Sequence, residues 1–228
     1  FVYDIIFQQM LGAIQMKDAP ARLLAEFLGV FFLCLFGIGA IMNGADLTGV
    51  ALAHGLAIFV AICAFAHVSG AHFNPAVTVA LAATKRIAPT DAFMYVLAQL
   101  AGAVAAAALL KSAFGTLGGV PSLGEGITVS TGILIEAVAT FILMIVIMGV
   151  AVDSRGTFSI IAGLPIGMAI AGDIFFAGPA TGAAMNPARW FGPALAGGYW
   201  DNWTIYVIAP LIGGALGAFS FRALAVHK

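Results

Sequence analysis

Two stretches of the sequence decide the fold: Ser-Gly-Ala-His-Phe-Asn-Pro-Ala-Val-Thr at residues 69–78 and Gly-Ala-Ala-Met-Asn-Pro-Ala-Arg-Trp-Phe-Gly-Pro at residues 182–193. Each carries Asn-Pro-Ala at the start of a short apolar segment, about 74–84 in the first and about 186–197 in the second. Asn is a favoured N-cap, and Pro is favoured at the first helical position because its missing N–H would have no partner there. Each motif therefore predicts a helix start, and at 1.5 Å per residue each helix would be only about 15 Å long.

The composition around these motifs is that of an integral membrane protein. Of the 228 residues, 62% are hydrophobic and only 8% are charged, whereas a soluble domain has about 25% charged residues. The formal net charge is -1, and no basic run is present, so nucleic-acid binding is not indicated. The two cysteines, Cys34 and Cys63, lie in apolar stretches and do not suggest a disulfide framework.

Six further stretches have the length of a membrane span, because a hydrocarbon core of about 30 Å requires roughly 20 apolar residues. They are about 21–43, 49–68, 91–112, 129–152, 158–177 and 203–225. The two Asn-Pro-Ala segments reach only half of that thickness, which is typical of re-entrant helices.

The two halves of the chain repeat the same landmarks in the same order. Glu26 and Glu136 each begin the pattern E-x-x-x-x-F-x-L, and an Asn-Pro-Ala motif follows each glutamate. Ala-Gln-Leu-Ala-Gly at 98–102 then matches Ala-Pro-Leu-Ile-Gly at 209–213. Three spans per half is an odd number, so the second half must insert upside down. The predicted fold is an all-α membrane protein with six transmembrane helices and two re-entrant half-helices in an inverted repeat.

This pattern predicts one domain at 19–228, made of repeats at about 19–115 and 128–228. Residues 1–18 are apolar but interrupted by polar residues, and we interpret them as an interfacial segment or a non-native extension. The positive-inside rule places both termini in the cytoplasm. On that side lie Lys17, Arg22, Lys85, Arg86, Arg155, Arg222 and Lys228, and outside lie Lys111 and Arg189. The short loops favour the plasma membrane of a prokaryote.

Two half-helices entering from opposite faces would meet near the middle of the bilayer. Their N-termini would each present about half an elementary positive charge there, and the capping asparagines would have side-chain NH2 groups free to bind a passing water oxygen. The candidate pore residues are therefore Asn74, Pro75, Ala76, Asn186, Pro187 and Ala188. Arg189 follows in the first turn of the second half-helix, and an arginine at membrane depth is functional by default.

The two runs resemble the signature segments of the major intrinsic protein (aquaporin) family, and the resemblance extends over about residues 20–225. It implies a right-handed bundle that forms a homotetramer with one pore per subunit. It also implies a passive channel for water, with small neutral solutes such as ammonia, urea and glycerol as further permeants, that excludes ions and protons.

The resemblance also implies a selectivity filter at His54, Ile174, Ala183 and Arg189, similar to the filter of the tonoplast-intrinsic group. His72 matches a histidine near the cytoplasmic mouth, whereas His67 is interpreted as structural. From the residues alone, His54 could equally be a hydrogen-bonded packing residue. Glycerol-preferring members have Asp where this chain has Trp190, which argues against a dedicated glycerol channel. Ala183 replaces a cysteine that makes some members sensitive to mercury.

Glu26 and Glu136 lie within apolar spans, where a charge is costly. Proton relay is one interpretation, but their symmetric placement favours bracing, in which each carboxylate accepts N–H groups of the re-entrant loop in its own half.

Three other functions compete with the channel. A non-conducting junctional or scaffold protein is one, and a secondary transporter using Glu26 and Glu136 is another. An intramembrane hydrolase using Ser69 and His72 is the third, but no orienting group or oxyanion site is evident for it. The sequence thus predicts no enzyme activity, no cofactor and no metal site.

Overall fold

A computed structural model of the chain describes residues 18–155 and 161–225. Within these ranges the chain forms eight α-helices and no strand. The helices are α1 (Ala19–Met42), α2 (Leu47–Ser69), α3 (Pro75–Ala83), α4 (Pro89–Phe114), α5 (Val129–Ile147), α6 (Gly163–Thr181), α7 (Pro187–Gly197) and α8 (Trp203–Ala225). A π-helical turn, Met148–Val152, extends α5. The interpretation of residues 1–18 falls outside the described residues, except for Asp18.

Six of these helices are long and apolar enough to cross a membrane: α1, α2, α4, α5 with its π-helical turn, α6 and α8. Large apolar side chains cover their outer faces, as at Leu56, Leu134 and Leu216, each more than half exposed. Such surfaces are stable against lipid rather than water. The prediction of an integral, multi-pass, all-α membrane protein is confirmed.

The two short helices begin at the predicted prolines because the preceding asparagines cap them. Asn74 and Asn186 have extended backbones, and the side-chain oxygen of each accepts backbone N–H groups of the first helical turn. The Oδ1 of Asn74 lies 2.8 Å from the N of Ala76, and the Oδ1 of Asn186 lies 3.0 Å from the N of Ala188. These contacts satisfy donors that a helix start otherwise leaves unpaired. The predicted half-helices are therefore present as α3 and α7.

The fifth span ends four residues later than predicted, at Thr181 instead of 177. The predicted end falls just before Gly178-Pro179, but Pro179 lies inside the helix. The carbonyl oxygen of Pro179 packs against Gly124. The backbone N–H of Gly124 donates to the carbonyl of Ala180 at 2.8 Å. Contacts with the loop before α5 thus support the last turn of α6. The helix stops at Gly182, whose φ of 80° favours glycine.

The halves of the bundle interlock through their half-helices. In the first half α1 packs against α2 and α4, and in the second half α5 packs against α6 and α8. The half-helices cross over, since α3 packs against α8 and α7 packs against α4. Because each half-helix is held by the last span of the other half, the two N-termini are brought together in the interior, as the inverted repeat requires.

Glycines allow the closest helix approaches. A Cβ on Gly55 of α2 would lie 2.6 Å from the carbonyl oxygen of Gly167 of α6, which is shorter than real side chains allow. Equivalent overlaps would occur between Gly102 and Phe27, and between Gly213 and Ala137. Small residues at such crossings let helix backbones touch, which is how helices pack in a membrane.

Candidate functional site

A cavity of about 550 Å³ passes between the two halves of the bundle. Its wall includes residues from both Asn-Pro-Ala regions and from α2, α5 and α6. Of the predicted site residues, the following line it: His54, His72, Asn74, Ile174, Ala183, Asn186 and Arg189. The other predicted residues, Pro75, Ala76, Pro187, Ala188, Glu26 and Glu136, are buried behind this wall. The cavity therefore brings together the two asparagines, Arg189 and the other residues predicted for the filter and the mouth, whereas the prolines and alanines of the two motifs do not line it.

The two asparagines do more than cap their own helices. The Nδ2 of Asn74 donates to the carbonyl of Met185 at 2.9 Å, and the Nδ2 of Asn186 donates to the carbonyl of Phe73 at 2.8 Å. Each amide thus bonds the loop of the opposite half. The sequence suggested that the NH2 groups would be wholly free, but an NH2 group has two donors. One is used to join the loops, and the other remains for the cavity.

The loops before the half-helices contain strained backbone. Ala71 and Phe73 have φ values of 54° and 48°, and Ala183 and Met185 have 46° and 51°. Non-glycine residues rarely adopt this left-handed region, at a cost of order 1–3 kcal/mol each. The same alternation in both halves shows that the strain belongs to the repeat. It persists only if other contacts hold the loops.

Glu26 supplies such contacts in the first half. Its carboxylate accepts the backbone N–H of His72 at 3.0 Å and that of Phe73 at 2.7 Å. It also accepts the hydroxyl of Ser69 at 2.6 Å and the amide of Gln99 at 2.7 Å. Hydrogen bonds to a charged acceptor are about twice as strong as neutral ones. Four donors on one buried carboxylate therefore hold the loop that leads into α3.

Glu136 makes the equivalent contacts in the second half. Its carboxylate accepts the backbone N–H of Ala184 at 2.8 Å and that of Met185 at 2.7 Å. The hydroxyl of Thr181 donates to it at 2.6 Å. Glu136, like Glu26, is fully buried. The two carboxylates occupy matching positions, and neither lines the cavity, which is the geometry of a support rather than of a proton path.

Two tyrosines complete these networks, and the sequence analysis did not identify them. The hydroxyl of Tyr95 donates to the carbonyl of Ser69 at 2.7 Å, and that of Tyr206 donates to the carbonyl of Thr181 at 3.0 Å. A signal for them exists, since Tyr-Val-Leu-Ala-Gln-Leu-Ala-Gly at 95–102 matches Tyr-Val-Ile-Ala-Pro-Leu-Ile-Gly at 206–213. Extending the internal repeat backwards by three residues would have found the pair.

His54 and Arg189 present opposite hydrogen-bonding groups at one end of the cavity. The Nδ1 of His54 lies 2.8 Å from the carbonyl of Val50. A carbonyl only accepts, so Nδ1 carries the proton and Nε2 is an acceptor. Among the described residues, Nε2 of His54 and two guanidinium nitrogens of Arg189 are buried without partners. Ile174 and Ala183 add apolar surface to the same cavity.

Unpaired buried donors are costly, by about 1–3 kcal/mol and more when charged. A molecule in the cavity that can accept from Arg189 and donate to His54 would remove that cost. Water, ammonia and urea all have both kinds of group. The arrangement thus suits small neutral molecules, whereas a cation would be repelled by the guanidinium.

Two histidines and a cysteine line the other end of the cavity. His72 lines it as expected, with Nδ1 3.2 Å from the hydroxyl of Thr78. His67, interpreted as structural, is exposed and also lines the cavity, as does Cys63 one turn earlier on α2. Trp190 does not line the cavity and is buried, stacked on Tyr206 with ring centroids 5.9 Å apart.

The family model described as "Major intrinsic protein" matches residues 13–221. Aquaporin TIP4-4 from Zea mays is 41% identical over 214 residues, covering 88% of this chain and 85% of that protein. Aquaporin AqpM from Methanothermobacter thermautotrophicus is 38% identical over 244 residues, covering 92% and 99%. Among solved structures, the aquaglyceroporin from Plasmodium falciparum superposes with a TM-score of 0.78 at 27% identity, covering 90% and 95%.

Proposed function

The chain belongs to the major intrinsic protein family, and we propose that it is a passive membrane channel that conducts water and excludes ions and protons. The family is one of channels rather than enzymes. The observation that carries the proposal is the single cavity that passes both half-helix N-termini, both asparagines and Arg189. Nothing in this arrangement requires a chemical step.

The proposed mechanism uses fixed positive potential at the centre of the cavity. The N-termini of α3 and α7 meet there, each equivalent to about half an elementary charge. The free N–H groups of Asn74 and Asn186 would bind the oxygen of a passing water and turn its hydrogens outwards. A water held in this way cannot accept a proton from its neighbour. The apolar side chains of Ile58, Leu143 and Ile166 line the wall and offer no competing hydrogen bonds.

The solute range is proposed from His54, Ile174, Ala183 and Arg189 acting as the filter. Ile174 is aliphatic where the water-only channels of the family usually have a histidine, and Ala183 is small, which favours water with small neutral solutes as additional permeants. A filter of the tonoplast-intrinsic type remains a prediction, since the similar proteins carry TIP, NIP and AqpM names alike. Trp190, in place of Asp, argues against a channel dedicated to glycerol.

We further propose that Glu26 and Glu136 brace the re-entrant loops and that 19–228 is one channel domain. We also propose a homotetramer with both termini in the cytoplasm. The orientation is supported by Lys85, Arg86, Arg155 and Arg222, which lie on one side of the predicted spans. The short loops suggested a prokaryotic plasma membrane, but the similar proteins include aquaporins from Zea mays and Arabidopsis thaliana as well as one from Methanothermobacter thermautotrophicus, so they do not support that membrane over others.

Stopped-flow light scattering on proteoliposomes tests this function. The vesicles are challenged in turn with an impermeant osmolyte, glycerol, urea and an ammonium salt. We expect water flux far above that of empty liposomes, with an activation energy close to that of free diffusion in water. Urea, ammonia or glycerol flux above that of empty liposomes would show which of these solutes the filter passes. Flux equal to empty liposomes, from folded protein, would favour the scaffold function, and dependence on a proton gradient would favour a transporter.

A further inference from the structure

A second cavity, of about 350 Å³, lies beside the end of the channel cavity at Arg86 and Val152, two residues that line both. It is built by three separate segments. Arg86 comes from the α3–α4 loop, Arg155 from the residues after the π-helical turn, and Arg222 from the last turn of α8. We call this the arginine cavity. Its three cations are 67 or more residues apart in sequence, so the fold alone assembles them.

One of the three arginines is neutralised within the arginine cavity. The Nε of Arg155 lies 2.8 Å and 3.1 Å from the two carboxylate oxygens of Asp153. These hydrogen bonds, with a smaller contribution from Arg86, lower the pKa of Asp153 to about 2. Asp153 therefore stays ionised and hydrogen-bonded to Arg155 at any physiological pH.

The other two arginines are available. Arg86 and Arg222 are exposed, and neither guanidinium has a hydrogen bond or ion pair with any residue in the part of the chain that the structure describes. Three guanidinium groups against one carboxylate leave a charge of about +2 facing the arginine cavity. The channel mechanism uses neither this cavity nor Arg222.

We propose that the arginine cavity binds the phosphate headgroup of an anionic phospholipid. The planar guanidinium matches two phosphate oxygens at once, which is why arginine is favoured for phosphate. The lining of the cavity also includes the apolar residues Met148 and Phe221. Beside it, the end of α8 exposes Leu224 at 75% and Phe219 at 49%. A headgroup in the cavity would place its acyl chains along these side chains.

A soluble phosphate shares the headgroup chemistry but not the apolar contact. Basic clusters at the ends of membrane spans attract anionic lipids by about 1 kcal/mol per Lys or Arg. The position of the arginine cavity at the end of α8, next to exposed apolar surface, therefore favours the lipid. This inference does not depend on whether the channel conducts.

Native mass spectrometry of the purified full chain tests the proposal, with phosphatidylglycerol and phosphatidylcholine of the same acyl chains. We expect preferential retention of phosphatidylglycerol. Arg222→Gln should weaken that retention roughly five- to tenfold, and Arg222→Lys should weaken it less. The matched control is Lys85→Gln, which removes a positive charge next to Arg86 from a residue that does not line the arginine cavity, and it should retain the lipid.

Three outcomes would overturn the proposal. Equal retention of both lipids would mean that the cavity does not select an anionic headgroup. If Lys85→Gln loses as much phosphatidylglycerol as Arg222→Gln, the lipid is attracted by the general positive charge of the surface and not by the arginine cavity. Binding of inorganic phosphate that Arg222→Gln abolishes, without retention of phosphatidylglycerol, would assign the arginine cavity to a soluble phosphate. Water flux of Arg222→Gln in phosphatidylcholine vesicles reports its fold separately, because Arg222 does not line the channel cavity.

Discussion

At the scale of single residues, the channel cavity depends on polar groups that have no protein partner. Arg189 and His54 are buried, yet among the described residues Nε2 of His54 and Nε and Nη1 of Arg189 are unpaired. Their positions must therefore be held by neighbours that give no hydrogen bond at those atoms. For His54 that neighbour is Gly37 of α1, whose missing side chain leaves room for the imidazole.

Gly37→Ala is expected to lower water permeability severalfold. A Cβ at this position would overlap the imidazole ring of His54, and overpacking of this kind costs about 1–3 kcal/mol. The ring can relieve the overlap by moving into the cavity. The measurement is stopped-flow permeability together with the thermal midpoint.

Gly39→Ala is the matched control on the same helix. Its Cβ would lie 3.7 Å from Leu110, an ordinary contact, so permeability should be unchanged. If Gly37→Ala conducts as well as Gly39→Ala, His54 does not define the width of the filter.

Glu136→Gln is expected to destabilise the protein by roughly 2–3 kcal/mol and to reduce water flux. The carboxylate accepts from Thr181, Ala184 and Met185. A carboxamide replaces one acceptor oxygen by an NH2 group, which faces N–H donors and leaves at least one of them unpaired. Thermal unfolding in detergent measures the loss.

The control for this change is Glu125→Gln, because Glu125 is exposed and such substitutions usually stay within about 0.5 kcal/mol. A proton relay makes a different prediction: Glu136→Gln would retain its stability and lose only a proton-dependent activity. That result would remove the bracing role.

At the scale of helices, contacts between glycine backbones decide how closely the membrane-spanning helices approach one another. The α2–α6 crossing joins the two halves, and there Gly55 and Gly167 meet with no side chain between them. Both helices also carry residues of the proposed filter, His54 on α2 and Ile174 on α6. The separation of these helices therefore sets the width of the filter as well as the stability of the bundle.

Gly167→Ala should destabilise the bundle by about 1–3 kcal/mol and change solute selectivity. Its Cβ would overlap the carbonyl oxygen of Gly55, and backbone cannot turn aside as a flexible side chain can. The helices must separate, so urea or glycerol flux should rise relative to water flux.

On the same helix, a Cβ at Gly172 would have no atom within 4 Å. Gly172→Ala should therefore be neutral or stabilising by up to about 1 kcal/mol through helix propensity. Equal thermal midpoints for the two variants would show that the crossing tolerates a wider spacing.

At the scale of the whole molecule, the channel has two chemically different ends. One end carries His54 and Arg189, and the other carries His67, Cys63 and Arg86. Of the two cysteines, Cys63 is exposed and lines the cavity, whereas Cys34 is fully buried. A thiol reagent can therefore report on a single position and on a single face.

A bulky, membrane-impermeant thiol reagent is expected to block most of the water flux by attaching to Cys63. With the termini in the cytoplasm, the block should occur in inside-out vesicles and not in intact cells. Cys63→Ser should conduct and resist the reagent. Block of intact cells would reverse the proposed orientation, and block of Cys63→Ser would mean that the reagent acts elsewhere.

Much of the fold follows from the sequence because its signals are local. Asn followed by Pro caps and starts a helix wherever it occurs, and runs of about twenty apolar residues must form spans in a bilayer. The repeat of Glu26 and Glu136 ahead of the two motifs, together with three spans in each half, implies the inversion without any knowledge of contacts. The predicted end of the fifth span at 177 was four residues too early, because contacts with the loop before α5 support the last turn of α6.

By itself, the sequence determined the six spans, the two half-helices, their inverted relation and the residue types available to a pore. Only the tertiary structure decided that Asn74 bonds the loop before Asn186, that Tyr95 and Tyr206 hold the ends of α2 and α6, that His67 reaches the cavity and that three arginines meet at one end. Asn74 and Met185, for example, are 111 residues apart. Hydrogen bonds between such distant residues depend on how whole helices pack, and no pattern within a helix encodes that distance.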